Sequence, residues 1–129
     1  MIGVTKIAKT ILIVDDEADI LNLVEDILTP EGYKIIKAKS GTDALKILKK
    51  IKPDLVLLDF FMPKMSGREV CEKIRADKRL KSIKVAFLTI AKLSKVGFKE
   101  LNRMNVIDFR QKPFDNEDLI KRVKKIISG

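Results

Sequence analysis

The sequence predicts an α/β domain built on a parallel sheet with helices on both faces. Three observations predict it. Five short runs rich in Ile, Val and Leu recur along the 129 residues. Each is followed by a segment whose apolar residues fall at helical spacing. One run, Leu55–Leu58, is apolar throughout, as suits a strand buried on both faces of a parallel sheet. Alternating elements of this kind fold with right-handed crossovers into three layers.

Each element has its own signal. Ile11–Val14 is a β-branched run that stops at Asp15. Ile20, Leu23, Val24, Ile27 and Leu28 mark the first helix, which Pro30 and Gly32 close. Tyr33–Lys37 reads as the second strand. Ser40 then caps a helix with Ala44, Leu45, Leu48 and Ile51 on its inner face, ended by Pro53. After the third strand, Leu55–Leu58, a loop over Asp59–Gly67 leads to a helix carrying Val70, Cys71 and Ile74. Ile83–Leu88 is the fourth strand. Leu93, Val96, Leu101 and Met104 mark a fourth helix, weakened by Gly97 and ended by Asn105. Val106–Phe109 is the fifth strand, and Asp115 or Asn116 caps a last helix with Leu119, Ile120, Val123, Ile126 and Ile127. No linker or repeat interrupts the series, so residues 1–129 form one domain with its core over about 10–128.

Composition excludes several chemistries. With no His, there is no Ser–His or Cys–His catalysis and no His-ligated metal. The single cysteine, Cys71, permits neither an internal disulfide nor a Cys-rich zinc site, and its helical setting reads as core. The longest apolar runs are far shorter than the roughly 20 residues that cross a bilayer, and Lys6 and Lys9 interrupt the N-terminus too early for a signal peptide. The reading is of a cytoplasmic protein. Net charge is +9, but the lysines and arginines alternate with apolar positions as solvated helix faces do, so no direct nucleic-acid binding is expected and no membrane partner.

In parallel α/β sheets the working site lies at the carboxyl ends of the strands. There the sequence puts Asp15, Asp16 and Glu17 after the first strand, Asp59 after the third, Thr89 after the fourth and Lys112 after the fifth. Crowded carboxylates favour a divalent cation, and oxygen ligands without His or Cys suit Mg²⁺. A hydroxyl and an ammonium opposite that cation would hold a phosphoryl group, with Asp59 as a carboxylate nucleophile. Taken singly, Asp15–Asp16 reads as a helix N-cap, Asp59 as a turn cap, Thr89 as an ordinary strand residue and Lys112 as a surface charge. Only their coincidence on one rim points to a site.

These stretches, ILIVDDE at Ile11–Glu17, LVLLDFFMPKMSG at Leu55–Gly67, FLT at Phe87–Thr89 and DFRQKPF at Asp108–Phe114, resemble the receiver domains of two-component response regulators over nearly the whole chain. The resemblance implies a flavodoxin-like (βα)5 fold with strand order 2-1-3-4-5. It implies a phosphorylation-activated switch of the stand-alone type rather than an enzyme acting on a separate substrate. Asp59 would accept a phosphoryl group from a histidine kinase or phosphotransfer protein, the protein catalysing its own phosphotransfer and slow dephosphorylation. Mg²⁺ would be held by Asp15, Asp16, Asp59 and the backbone carbonyl of Phe61. Lys112 and Thr89 would contact phosphoryl oxygens, and Thr89 and Phe109 would form the switch. The surface of the fourth helix, fifth strand and last helix would then bind a downstream protein.

The chain departs from the family pattern at Ile90, where a small residue is usual, at Asn105–Val106 in place of Gly-Ala, and at Phe109, which brings no hydroxyl. A non-phosphorylated interaction module and a Mg²⁺-dependent phosphatase are the alternatives. The phosphatase reading lacks the second acid two residues after the nucleophile, where Phe61 stands.

Overall fold

The computed structural model describes residues 8–89, 108–111 and 115–129. The fourth helix expected over 93–104, Ile90, Asn105–Val106 and Lys112 lie outside these residues, as do the side chains of Thr89 and Phe109.

Five strands form one parallel sheet: β1 (Thr10–Val14), β2 (Lys34–Ala38), β3 (Leu55–Leu58), β4 (Lys84–Thr89) and β5 (Asp108–Gln111), in the order β2-β1-β3-β4-β5. The described helices are α1 (Ala18–Leu28), α2 (Gly41–Leu48), α3 (Gly67–Ala76) and the C-terminal α4 (Asn116–Ser128). The expected architecture and strand order are therefore observed.

Side-chain alternation along the strands divides the core in two. Leu12, Val14, Val56, Leu58, Val85 and Phe87 face α2 and α3 and pack with Ala44, Leu48, Val70, Cys71 and Ile74. Ile11, Ile13, Leu55, Leu57, Ala86 and Leu88 face the other way, onto Leu21, Val24 and Leu28 of α1 and Leu119 and Val123 of α4. The central strand β3 is buried at all four positions, which is why its sequence carries no polar residue.

Element boundaries moved by small steps. The second and fourth strands each start and end one residue later than the apolar runs suggested, and the fifth continues to Gln111. Pairing continues wherever a neighbour offers its backbone, whatever the side chain. Helix α2 stops at Leu48, so Ile51 belongs to the following loop. On α1 the buried stripe is Leu21, Val24, Ile27 and Leu28, and Leu23 is 43% exposed. Two residues along a helix turn a side chain through about 200°, so Leu21 and Leu23 cannot share a face. Beyond α1, a 3-10 turn over Thr29–Glu31 closes on Gly32, whose φ of 93° lies in the left-handed region.

The caps follow simple chemistry. Ser40 Oγ accepts the amide of Asp43 at α2. The Asp115 carboxylate accepts the amides of Glu117 and Asp118, which makes Asp115 the cap of α4 and Asn116 its first residue.

Candidate functional site

The register of the sheet builds the site. Val14 of β1 stands opposite Leu58 of β3, so the residues that follow them, Asp15 and Asp59, emerge side by side at the carboxyl edge. Pairing runs one residue beyond the strands. The Asp59 amide donates to the Val14 carbonyl at 2.9 Å, and the Asp15 amide donates to the Ala38 carbonyl at 3.1 Å. Both acids are thereby fixed by backbone at the ends of the adjoining strands β1 and β3.

Asp15, Asp16 and Asp59 each present a carboxylate oxygen within 4.8 Å of the others. Asp15 is 2% exposed and Asp59 6%, the two buried charged residues among those described, while Asp16 is exposed at the rim. Two carboxylate charges at that separation repel by about 3 kcal/mol at an effective dielectric of about 20. Local amides offset part of this: Glu17 donates to Asp15 Oδ1 at 2.9 Å and Phe61 to Asp59 Oδ1 at 3.2 Å. The N-cap reading of Asp15–Asp16 does not hold, because the residue before α1 is Glu17 and it makes no side-chain cap. An oxygen-only set of three acids, two of them buried, fits a small hard cation such as Mg²⁺.

Behind Asp59, the β3–α3 loop is held by three devices. Ser66 and Glu69 form a capping box at α3, Ser66 Oγ accepting the Glu69 amide at 3.2 Å. The Gly67 amide donates to the Phe60 carbonyl at 3.0 Å, and a Cβ placed on Gly67 would sit 2.1 Å from the Asp59 carbonyl oxygen. Lys64 takes a left-handed φ of 67°, with the Met65 amide donating across it to the Pro63 carbonyl at 2.8 Å. The reading from sequence did not single out these residues. The Ser66-Gly-Arg-Glu69 spacing was a visible signal of the cap, whereas the close approach at Gly67 is a tertiary contact with no local signature.

The two phenylalanines after Asp59 part company. Phe60 turns inward and meets Phe87 edge-on at 5.2 Å between centroids. Phe61 is half exposed at the mouth of the site, its ring edge-on to Phe60 at 4.9 Å. The structure thus brings together Asp15, Asp16, Asp59 and Phe61. On the adjoining strands, Thr89 ends β4 and pairs with Gln111 of β5, whose successor in sequence is Lys112.

Known proteins share this fold. The family model for the response regulator receiver domain matches residues 11–124. The alkaline phosphatase synthesis transcriptional regulatory protein PhoP of Bacillus subtilis is 38% identical over 119 residues, covering 92% of this chain and 48% of that protein. The chain spans about half the length of the curated relatives it matches. Among solved structures, a response regulator from Thermotoga maritima superposes with a TM-score of 0.84 at 31% identity, covering 95% of this chain and 100% of that one. A chemotaxis response regulator of Vibrio cholerae gives 0.86 at 28% identity, covering 93% and 99%. With the matched motifs, the strand order and the three-acid rim all in agreement, the chain belongs to the response regulator receiver domains, the phosphorylation-activated switches of two-component signalling.

Proposed function

We propose that Asp59 is the phosphoacceptor and that Asp15, Asp16, Asp59 and the Phe61 carbonyl hold Mg²⁺. The observation that carries this reading is the convergence of three carboxylates, two of them buried, within 4.8 Å at the carboxyl ends of the central strands. Burying like charges side by side is costly unless a cation or a transferred group uses them. Bound there, the ion supplies positive charge against the phosphoryl oxygens.

The chain's own residues do the rest. An Asp59 carboxylate oxygen attacks phosphorus of a phosphohistidine on a histidine kinase or phosphotransfer protein. The O–P bond forms as the donor's N–P bond breaks, and the imidazole leaves and takes a proton from solvent. The Phe61 amide, on Asp59 Oδ1, orients the carboxylate. Lys112 pairs with one phosphoryl oxygen and Thr89 hydrogen-bonds another. Their engagement repacks Phe109 and the surface of residues 93–104, β5 and α4, where a protein partner docks. Phosphotransfer to itself and slow loss of the phosphate are the only chemistry in this reading, and its setting is cytoplasmic. Among the described residues no helix is long and apolar enough to cross a membrane.

Intact-mass analysis after incubation with Mg²⁺ and a small phosphodonor tests the proposal. One added phosphate, absent in Asp59→Asn, is the expected result. No adduct would favour an inert interaction module, and steady turnover of phosphate esters a phosphatase.

A further inference from the structure

Among the described residues, lysines gather at the end of the sheet away from the acids of the site. The acids of the site occupy the carboxyl ends of the strands, and a dense group of lysines occupies the opposite, amino end of β3 and β4. Two runs far apart in sequence supply it. Lys46, Lys49, Lys50 and Lys52 lie at and beyond the end of α2, and Lys78 and Lys81 lie in the turn after α3. The fold joins them. Leu55 pairs with Lys84, so the segments that enter β3 and β4 arrive side by side. The Arg79 guanidinium donates to the Leu48 carbonyl, tying the turn after α3 to the last residue of α2. Arg75 Nη1 folds that turn back by donating to the carbonyls of Lys81 at 2.8 Å and Ile83 at 2.6 Å.

All six lysines are exposed, and none forms an ion pair with a described residue. The two acids nearby are turned to backbone. Asp54 accepts the Thr10 amide at 2.8 Å and lies 4.0 Å from Lys9, and Asp77 accepts the Arg79 amide at 2.8 Å. Favourable interaction with a helix dipole explains Lys46, in the last turn of α2, and Lys49 at its cap. It does not explain Lys50, Lys52, Lys78 and Lys81, which lie past the helix ends, where the effect has faded.

We infer that this amino-end rim is a binding surface for the phosphate backbone of duplex nucleic acid. Lysines are point charges that neutralise phosphates without reading sequence. Single-strand binders stack bases on aromatic rings, and the described residues of the rim carry none. Basic surfaces that hold membranes add apolar side chains for insertion. Among the described residues the exposed large apolar side chains are Leu23 on α1 and Phe61 at the opposite end, neither of them on the rim. The reading from sequence treated the two lysine runs as separate solvated faces. Their joining is a product of the sheet register and the Arg79–Leu48 bond.

The test is fluorescence anisotropy of a short labelled duplex of mixed sequence, with the full chain, across salt from roughly 50 to 200 mM. Six engaged lysines give a slope of log affinity on log salt of about −5. Replacing Lys49, Lys50, Lys78 and Lys81 together by Gln should bring the slope to about −2 and cut low-salt affinity at least roughly tenfold. Each single Lys→Gln variant should remove about one unit of slope, which keeps the test independent of how well the combined variant folds. Lys39→Gln, on an exposed position past the carboxyl end of β2, should leave the slope unchanged. Absence of duplex binding by the wild type, equal slopes for wild type and the combined variant, or binding to phosphatidylserine vesicles without binding to the duplex would each overturn the inference.

Discussion

Replacing Gly67 by Ala probes how tightly the backbone behind Asp59 is held. The added Cβ would fall 2.1 Å from the Asp59 carbonyl oxygen and 2.9 Å from both the Asp59 carbonyl carbon and the Phe60 Cα. Contacts below 3.0 Å essentially do not occur for real Cβ atoms, so the two backbone segments must part by about 0.9 Å. All three neighbours are backbone, and no side-chain rotation can relieve them. The parting breaks or stretches the bond from the Gly67 amide to the Phe60 carbonyl and displaces the segment that carries the Asp59 carboxylate. Overpacking of this kind costs about 1–3 kcal/mol, and a misplacement of about 1 Å at a reacting group can slow chemistry by roughly 100-fold. We expect Gly67→Ala to lower Tm and to slow phosphate loading from a small donor by one to two orders of magnitude, read by thermal unfolding and by intact mass over time. Gly32→Ala is the control. Its left-handed φ of 93° costs stability too, about 1–2 kcal/mol, but open space surrounds it and it lies beyond α1, away from the site. Loading by Gly32→Ala should match wild type. A Gly67→Ala protein that melts and loads as the wild type does would refute the close-approach argument.

Three further outcomes follow from the site and the core. Phe61, half exposed beside Asp59, has no polar atom with which to orient a hydrolytic water, so the phosphorylated protein should decay slowly. Phe61→Asn should hasten loss of phosphate by roughly tenfold or more, and equal decay of the two would sink the shielding role. Mg²⁺ should raise the Tm of wild type but not that of Asp16→Ala, whose metal-free form should be at least as stable because one repelling charge is gone; unchanged Mg²⁺ affinity in this variant would rule out the metal site. Burial, more than any neighbouring charge, pushes the Cys71 thiol above its ordinary pKa. A thiol reagent should therefore label it only on unfolding, and its contribution to stability, intact at neutral pH, should fade as pH rises past the ordinary thiol value, where only the unfolded chain ionises.

The fold was legible because its two periodicities are clean. Leu55–Leu58 without a polar residue suits a doubly covered strand, and its burial at every position bears that out. On α1 the expected inner face includes Leu23 and omits Leu21, the reverse of what is observed, since both are apolar and only the packing of α1 on the sheet decides between them. Asp15, Asp16 and Asp59 could be grouped from sequence because strand ends meet on one rim in any parallel sheet. Their separation of under 4.8 Å depends on the Val14–Leu58 register, which no local pattern specifies. Gly67 and the joined lysine runs escaped notice for the same reason. Each draws its meaning from a segment distant in the fold or folded back on itself, through a backbone approach in one case and the Arg79–Leu48 bond in the other.

The central claim is that Asp59, and no other acid of the rim, takes the phosphoryl group. Loading the wild type with a small phosphodonor and Mg²⁺, trapping the acyl phosphate by borohydride reduction and mapping the reduced residue by peptide mass spectrometry tests it directly. The modification is expected at Asp59 alone, and only when Mg²⁺ is present. Modification at Asp15 or Asp16, or at Asp59 to the same extent with the metal chelated, would contradict the account.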